Sequence, residues 1–193
     1  MVDARLERHL YENKLHEGLQ SAYRKFHSTE TALLKVQNDI LQSLDQGCTT
    51  VLVMLDLSAA FDTIDHHTLL YRLEHTFGIV EKPLAWMKSY LTDRFQTVCI
   101  DGELSRPVRM EYSVPQGSVL GPKNYIMYIK PVCDMCRGHG LEHHFYADDS
   151  QLYMSFKPKD DIAQKEVLTR IENCLSEIMS WMHHNMLKLN ADI

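Results

Sequence analysis

Two adjacent carboxylates, Asp148 and Asp149, fall between two apolar, strand-like runs, Glu142–Phe145 and Gln151–Phe156. Runs that close must be joined by a tight turn, so the spacing predicts a β-hairpin with Tyr146-Ala147-Asp148-Asp149 at its tip. Like charges ~4 Å apart repel by about 4 kcal/mol at an effective dielectric near 20. A solvated Asp-Asp turn bears that cost in water. A divalent cation removes it, and Mg²⁺ selects carboxylate oxygens together with phosphates.

The chain of 193 residues is long enough for one domain with a full core, and its 45% hydrophobic and 24% charged content is that of a soluble globular protein. It has no apolar run of the ~18 residues that cross a bilayer, and residues 1–10 carry charges where a signal peptide needs an apolar core. Five scattered cysteines do not make a disulfide framework. These features predict a reducing, intracellular setting, cytoplasmic or nuclear, with no membrane partner. The net charge of −6 is unfavourable for gripping a polynucleotide, although residues 81–130 carry seven Lys/Arg against five Asp/Glu. Acid concentrates instead around the paired carboxylates and in the last helical stretch.

Ser28 or Thr29 is placed to cap a helix in which Leu33, Val36, Ile40, Leu41 and Leu44 recur at helical spacing, with Gly47 as the stop. Thr49–Leu57 is nearly unbroken apolar and β-branched sequence, which predicts a buried central strand. Helices are expected from about Asp65 to Phe77, from Pro83 through Leu91, and through Tyr125, Ile126 and Ile129. Phe95–Ile100 and Val108–Tyr112 read as two strands around an Asp101-Gly102 turn. Asp160 or Asp161 caps a last helix with the stripe Val167, Ile171, Cys174, Leu175, Ile178 and Met182. The order of elements predicts an α+β fold, an antiparallel sheet with helices packed on one face.

Asp56 stands near the end of the apolar Thr49–Leu57 run, where a charge needs a partner. If that strand lies beside the Asp148 hairpin, the carboxylates meet at one end of the sheet. Two metal ions held ~4 Å apart there could clamp the attacking and leaving oxygens of a phosphoryl transfer.

Three segments in order carry a family likeness: Leu55-Asp56-Leu57-Ser58-Ala59-Ala60-Phe61-Asp62, Val114-Pro115-Gln116-Gly117-Ser118-Val119-Leu120-Gly121-Pro122, and Phe145-Tyr146-Ala147-Asp148-Asp149. Together they resemble the palm of a reverse transcriptase of the non-LTR retrotransposon type. Upstream, Gln20–Lys25 with Ser28–Ala32 resembles that family's fingers. Downstream, Trp181 and Asn185–Asn190 resemble its next palm motif. The resemblance implies a polymerase palm at 49–193 and partial fingers at 1–48, with no thumb or endonuclease, ending about where the family places a lysine that acts as a general acid. It implies an RNA-directed DNA polymerase taking an RNA template, a DNA primer and deoxynucleoside triphosphates, with two Mg²⁺ ions for which Mn²⁺ can substitute.

By the same resemblance, Asp56 and Asp148 are metal ligands and Asp149 assists them as the third catalytic carboxylate. Backbone amides of Leu57, Ser58, Ala59, Ala60 and Phe61 face the triphosphate, and Phe61 rejects a 2′-hydroxyl by sterics. Gln116 and Gly117 seat the nucleotide, and Arg24 and Lys25 contact phosphate. Asp62 and Asp65 are read as a turn and a helix cap. Ser113 stands where the family carries Gly, and Lys123-Asn124 is more polar than the family's apolar run. Two alternatives compete: a catalytically silent remnant binding RNA or protein, and a zinc module built on Cys133, Cys136, His139 and His143. The spacing of the last set does not match a zinc finger, which disfavours it.

Overall fold

Local signals start most elements. In the computed structural model, which describes residues 1–190, they run in the order α1 (Val2–Glu12), α2 (Thr29–Asp45), β1 (Thr49–Leu55), β2 (Leu57–Ser58), α3 (His66–His75), α4 (Glu81–Leu91), β3 (Arg94–Gln96), β4 (Cys99–Ile100), β5 (Glu103–Leu104), β6 (Val108–Met110), α5 (Gly121–Gly138), β7 (Glu142–Tyr146), β8 (Asp149–Phe156), α6 (Asp161–His184) and β9 (Lys188–Leu189). Ser28 caps α2 by accepting from the Thr31 amide, and Thr31 Oγ1 accepts from the Ser28 amide in return. Asp65 and Asp160 accept from the Thr68 and Ala163 amides to start α3 and α6. Each such cap contributes about 1 kcal/mol.

A three-stranded antiparallel sheet of order β1-β8-β7 forms the centre of the molecule. Its register sets Leu55 opposite Ser150 and Tyr146 opposite Asp149. The α+β class holds, but the layering is not one-sided. His143 and His144 are neighbours on β7 and point to opposite faces. His143 lies near Cys133 of α5, whereas Tyr153 and Ser155 of β8, on the His144 face, bond Asp39 and Ser43 of α2. Helices α5 and α6 therefore cover one face and α2 crosses the other.

The expected central strand is an edge. β1 pairs with β8 alone, and its exposure alternates, with Val51, Val53 and Leu55 against the core and Leu52 and Met54 40% and 73% exposed. Its run is apolar on both faces, so composition alone made it look buried. The stripe on α2 is likewise rotated: Ala32 and Val36 are buried while Leu33, Leu41 and Leu44 face outward. Phe95–Ile100 is not one strand. It splits into β3, paired with β6, and β4, paired with β5 across an Asp101-Gly102 turn in which both residues have positive φ. Helix α5 runs past Pro131, burying Val132, Cys133 and Cys136. That burial outweighs the hydrogen bond the proline cannot donate.

One buried cation ties three helices together. Arg72 of α3 donates to the Tyr128 carbonyl on α5 and to Asn185 Oδ1 after α6. Its guanidinium lies between the Tyr128 ring at 4.4 Å and the Trp181 ring at 4.8 Å. Tyr128 Oη closes the set by donating to the Asn185 carbonyl at 2.7 Å. Leaving two buried acceptors without donors costs about 1–3 kcal/mol each. Arg72→Met is therefore expected to lower stability by about 3 kcal/mol, read from urea unfolding midpoints, and Arg72→Lys should recover only part of the loss because it cannot lie flat between the rings.

Candidate active site

Sheet register alone carries Asp56 to the hairpin. Leu55 is opposite Ser150, so the next residue on β1's path falls opposite Asp149. The Asp56 backbone carbonyl accepts from the Asn190 amide at 2.9 Å, and its Oδ2 accepts from Asn190 Nδ2 at 2.9 Å. These bonds hold the residue where the chain leaves β1 for β2, whose Leu57 pairs with Leu189 of β9. The carboxyl of Asp149 is pushed above the ordinary aspartate range by partial burial and by the charges of Asp148 and Asp56. Asp56, Asp148 and Asp149 are thus electrostatic neighbours at one end of the sheet.

The turn that presents Asp148 is strained and clamped. Ala147 has φ 55°, a left-handed conformation that costs a non-glycine residue about 1–2 kcal/mol. Buried Gln20 holds it on both sides. Gln20 Nε2 donates to the Ala147 carbonyl at 3.2 Å, and Gln20 Oε1 accepts from the Ala147 amide at 3.1 Å and from the Ala22 amide at 3.0 Å. Around this clamp the Ser21 amide donates to the Phe145 carbonyl, the Phe145 amide donates to the Leu19 carbonyl, and Ser21 Oγ bonds His144 Nε2 at 2.8 Å. Residues 19–21 are therefore joined to β7 by a parallel bridge between Gln20 and Phe145.

The remaining sequence-predicted residues are spread around this end. Leu57 and Ala60 are buried, Ser58 is half-buried, and Ala59 is exposed with φ 52°. The Phe61 ring is 4.8 Å from that of Tyr125, and its carbonyl accepts from the Val114 amide, tying the two loops together. Gln116 is exposed and donates to Asp62 Oδ1 at 2.6 Å, so Asp62 does more than form a turn. Gly117 has φ 74°, which the absence of a Cβ permits. Arg24 Nη1 donates to the carbonyls of Glu17 and Gln20 at 2.8 and 3.1 Å, bracing the segment that carries the clamp, while Lys25 is exposed. Asp65 is the expected helix cap.

Two residues near the aspartates escaped the sequence reading. Gln20 was quoted only within a motif, and nothing in its local pattern marks a side chain that bonds a turn so far along the chain. Tyr125 read as an apolar helix position. It is wholly buried, its hydroxyl finds no hydrogen-bond partner among the described residues, and burial followed by the charge of Asp148 raises its pKa. Ser113, expected to depart from a glycine, has φ 78° and is buried. Its carbonyl accepts from Arg94 Nη2 at 2.7 Å, and its amide donates to the Ile64 carbonyl.

The chain matches the family described as reverse transcriptase (RNA-dependent DNA polymerase) over residues 1–192. It belongs to that family. It is 29% identical over 181 residues to the RNA-directed DNA polymerase from mobile element jockey of Drosophila melanogaster, covering 90% of this chain and 19% of that protein. The Drosophila funebris jockey polymerase is 33% identical over 109 residues, 56% of this chain and 12% of that protein. The chain thus spans about a fifth or less of these relatives. In fold it is similar to telomerase from Candida albicans, solved with a TWJ fragment of telomeric RNA, at a TM-score of 0.74 and 14% identity, covering 99% of this chain and 34% of that one.

The proposed zinc set of this reverse transcriptase relative does not converge. His139 bonds Glu177 at 2.7 Å, and Cys136 faces Cys174. Cys133 and His143 do come together, but with Glu17, a residue outside the expected set.

Two outcomes follow for the site. Gln20→Leu removes both halves of the clamp and should speed amide exchange at Ala147 and Ala22 and lower stability by about 2 kcal/mol, measured by hydrogen exchange and denaturation. The raised pKa of Asp149 means that the folded state holds its proton more tightly than the unfolded state. That stabilisation is complete below about pH 4 and is lost as pH rises through the folded value. Asp149→Asn should therefore match the parent protein in acid and exceed it near neutral pH in chelator. Added Mg²⁺ should narrow the gap, as followed by melting temperature.

Proposed function

We propose that this chain is the palm and partial fingers of an RNA-directed DNA polymerase, with residues 1–48 as the fingers portion and 49–193 as the palm. The single observation that carries the reading is the sheet register that brings Asp56 beside the Asp148-Asp149 turn. It is supported by the family match and by the named activity of the jockey relatives. No helix among the described residues is long and apolar enough to cross a membrane.

The three carboxylates feel one another's charge without closing to a common ligand distance among the described residues, and a divalent cation would draw them together by neutralising the repulsion that, after burial, lifts Asp149. Asp56 and Asp148 would hold Mg²⁺, two ions in the full reaction, with Asp149 assisting and Mn²⁺ able to substitute. When bound, such ions supply Lewis acidity toward a primer hydroxyl and a triphosphate. The protein's own part is positioning. Gln20 fixes the height of the Asp148 turn, and Asn190 fixes the Asp56 backbone and one carboxylate oxygen.

The loop from Leu57 to Phe61 would offer amides to the deoxynucleoside triphosphate. Phe61, whose ring packs 4.8 Å from that of Tyr125, would contact the sugar and reject a 2′-hydroxyl. Gln116 and Gly117 would seat the base pair. Gln116 borders an open cleft of about 920 Å³ also lined by Asp62, Arg94, Phe95 and Gln96, where an RNA template and DNA primer would lie. Arg24 acts through the carbonyls it braces, and Lys25 is the more available phosphate partner. The setting this requires is intracellular, nuclear or cytoplasmic.

Primer extension on an RNA template with Mg²⁺ tests the reading. Extension by this chain that falls at least ~10³-fold in both Asp56→Asn and Asp148→Asn is the expected result. Extension that survives either change removes the assigned metal role. RNA binding without extension, indifferent to both changes, would instead identify a silent binding module.

A further inference from the structure

Away from the aspartates, three ligand-type side chains converge from three separate parts of the chain. Glu17 comes from the segment before the Gln20 clamp, Cys133 from the middle of α5 and His143 from β7. One ligand atom of each lies within 4.8 Å of the other two, and among the described residues this is the group of His, Cys, Asp or Glu that closes so tightly. Their relative exposures are 7%, 1% and 1%.

The local chemistry is incomplete without a further partner. The Leu141 backbone draws on the His143 ring, but among the described residues neither buried ring nitrogen has a partner in good hydrogen-bond geometry. An unsatisfied buried polar group costs about 1–3 kcal/mol, so at least the nitrogen turned away from Leu141 calls for a compensating contact. The Phe145 ring, 5.5 Å away, offers none. Glu17 is oriented by Arg137, which donates to Oε1 and Oε2 at 2.9 Å each. The same guanidinium donates to Asp134 at 2.5 Å.

We propose that Glu17, Cys133 and His143 form a structural binding site for Zn²⁺ or a similar divalent transition ion. A thiolate, an imidazole and a carboxylate are the donors zinc selects. Zinc–ligand bonds of about 2.0–2.3 Å in a tetrahedron put ligand atoms about 3.3–3.8 Å apart, so a trio whose atoms lie within 4.8 Å of one another needs to close by about 1.5 Å at most. The charges balance. The ion's two positive charges and that of Arg137 meet the Cys133 thiolate, Glu17 and Asp134. The thiol proton leaves to solvent as the metal binds. One Glu17 oxygen stays with Arg137, the outer-sphere arrangement that orients a ligating carboxylate. The fourth corner falls to water.

The ion would bolt residues 17–22 to β7. Those residues carry Gln20, and β7 leads directly into the Ala147-Asp148 turn. The site is therefore a staple behind the carboxylates, separate from them and independent of whether the chain polymerises.

Co²⁺ titration of untagged, metal-free protein under a non-chelating reductant tests it. The expected result is one Co²⁺ per chain with a thiolate-to-cobalt charge-transfer band, displaced by Zn²⁺, and a higher melting temperature with Zn²⁺ than with chelator. Cys133→Ser and His143→Ala should each weaken binding at least ~100-fold and Cys133→Ser should abolish the band, while Cys136→Ala and His139→Ala leave both in place. Absence of saturable one-to-one binding in the parent protein overturns the proposal, whatever the variants do. So does a band that survives Cys133→Ser or is lost in Cys136→Ala.

Discussion

The hydrogen bonds between Gln20 and Ala147 link the two ends of the sequence at the point where chemistry is expected. A two-residue turn ending in paired aspartates is unfavourable twice over, through the left-handed backbone of Ala147 and through the partial burial and neighbouring charge that lift Asp149. Such strain persists only where the surroundings over-determine it. One amide side chain does so here, donating to the Ala147 carbonyl and accepting from its amide. Arg24, Ser21 and His144 hold the strip from which that side chain projects. The N-terminal segment is thus part of the site's foundation, although it contributes none of the three carboxylates.

Burial divides labour around this foundation. Arg72, between two rings and bonded to two acceptors, joins α3, α5 and the end of α6. The end of α6 sets the path of β9, whose pairing with β2 places the Asn190 bonds to Asp56. Packing thus transmits to one carboxylate from the C-terminal side, as Gln20 does to the other two from the N-terminal side. The loops between them meet where Phe61 touches Tyr125 and the Val114 amide.

Much of this was legible in the residues, for identifiable reasons. The hairpin, the caps at Ser28, Asp65 and Asp160, and the α6 stripe are written in short-range patterns, and the structure keeps them. Asp56 beside Asp149 was legible as a condition, since an apolar strand ending in a charge needs company. What failed was long-range. The unbroken apolar run of β1 could not say that the strand lies at a sheet edge, and the leucines of α2 could not say which of two adjoining stripes turns inward. The Cys-His set, disfavoured by its spacing, is divided because α5 continues through Pro131 and carries Cys133 toward His143 and Cys136 toward Cys174. Gln20 and Glu17 act on partners more than a hundred residues away, which no local period encodes.

Helix α2, with its outward leucines, lies on the same side of the sheet as the exposed side chains of β1. Leu33, Leu34, Leu41 and Leu44 occupy about a quarter of the helix circumference, and Leu52 and Met54 extend greasy surface onto the strand. Colloidal behaviour should then be governed by net charge. With a sequence pI near 6.0, mildly acidic buffer strips away the repulsion that keeps such surfaces apart, whereas the charge of −6 at pH 7 restores it. Handling on the alkaline side of neutrality, at low ionic strength, keeps molecules of this kind dispersed.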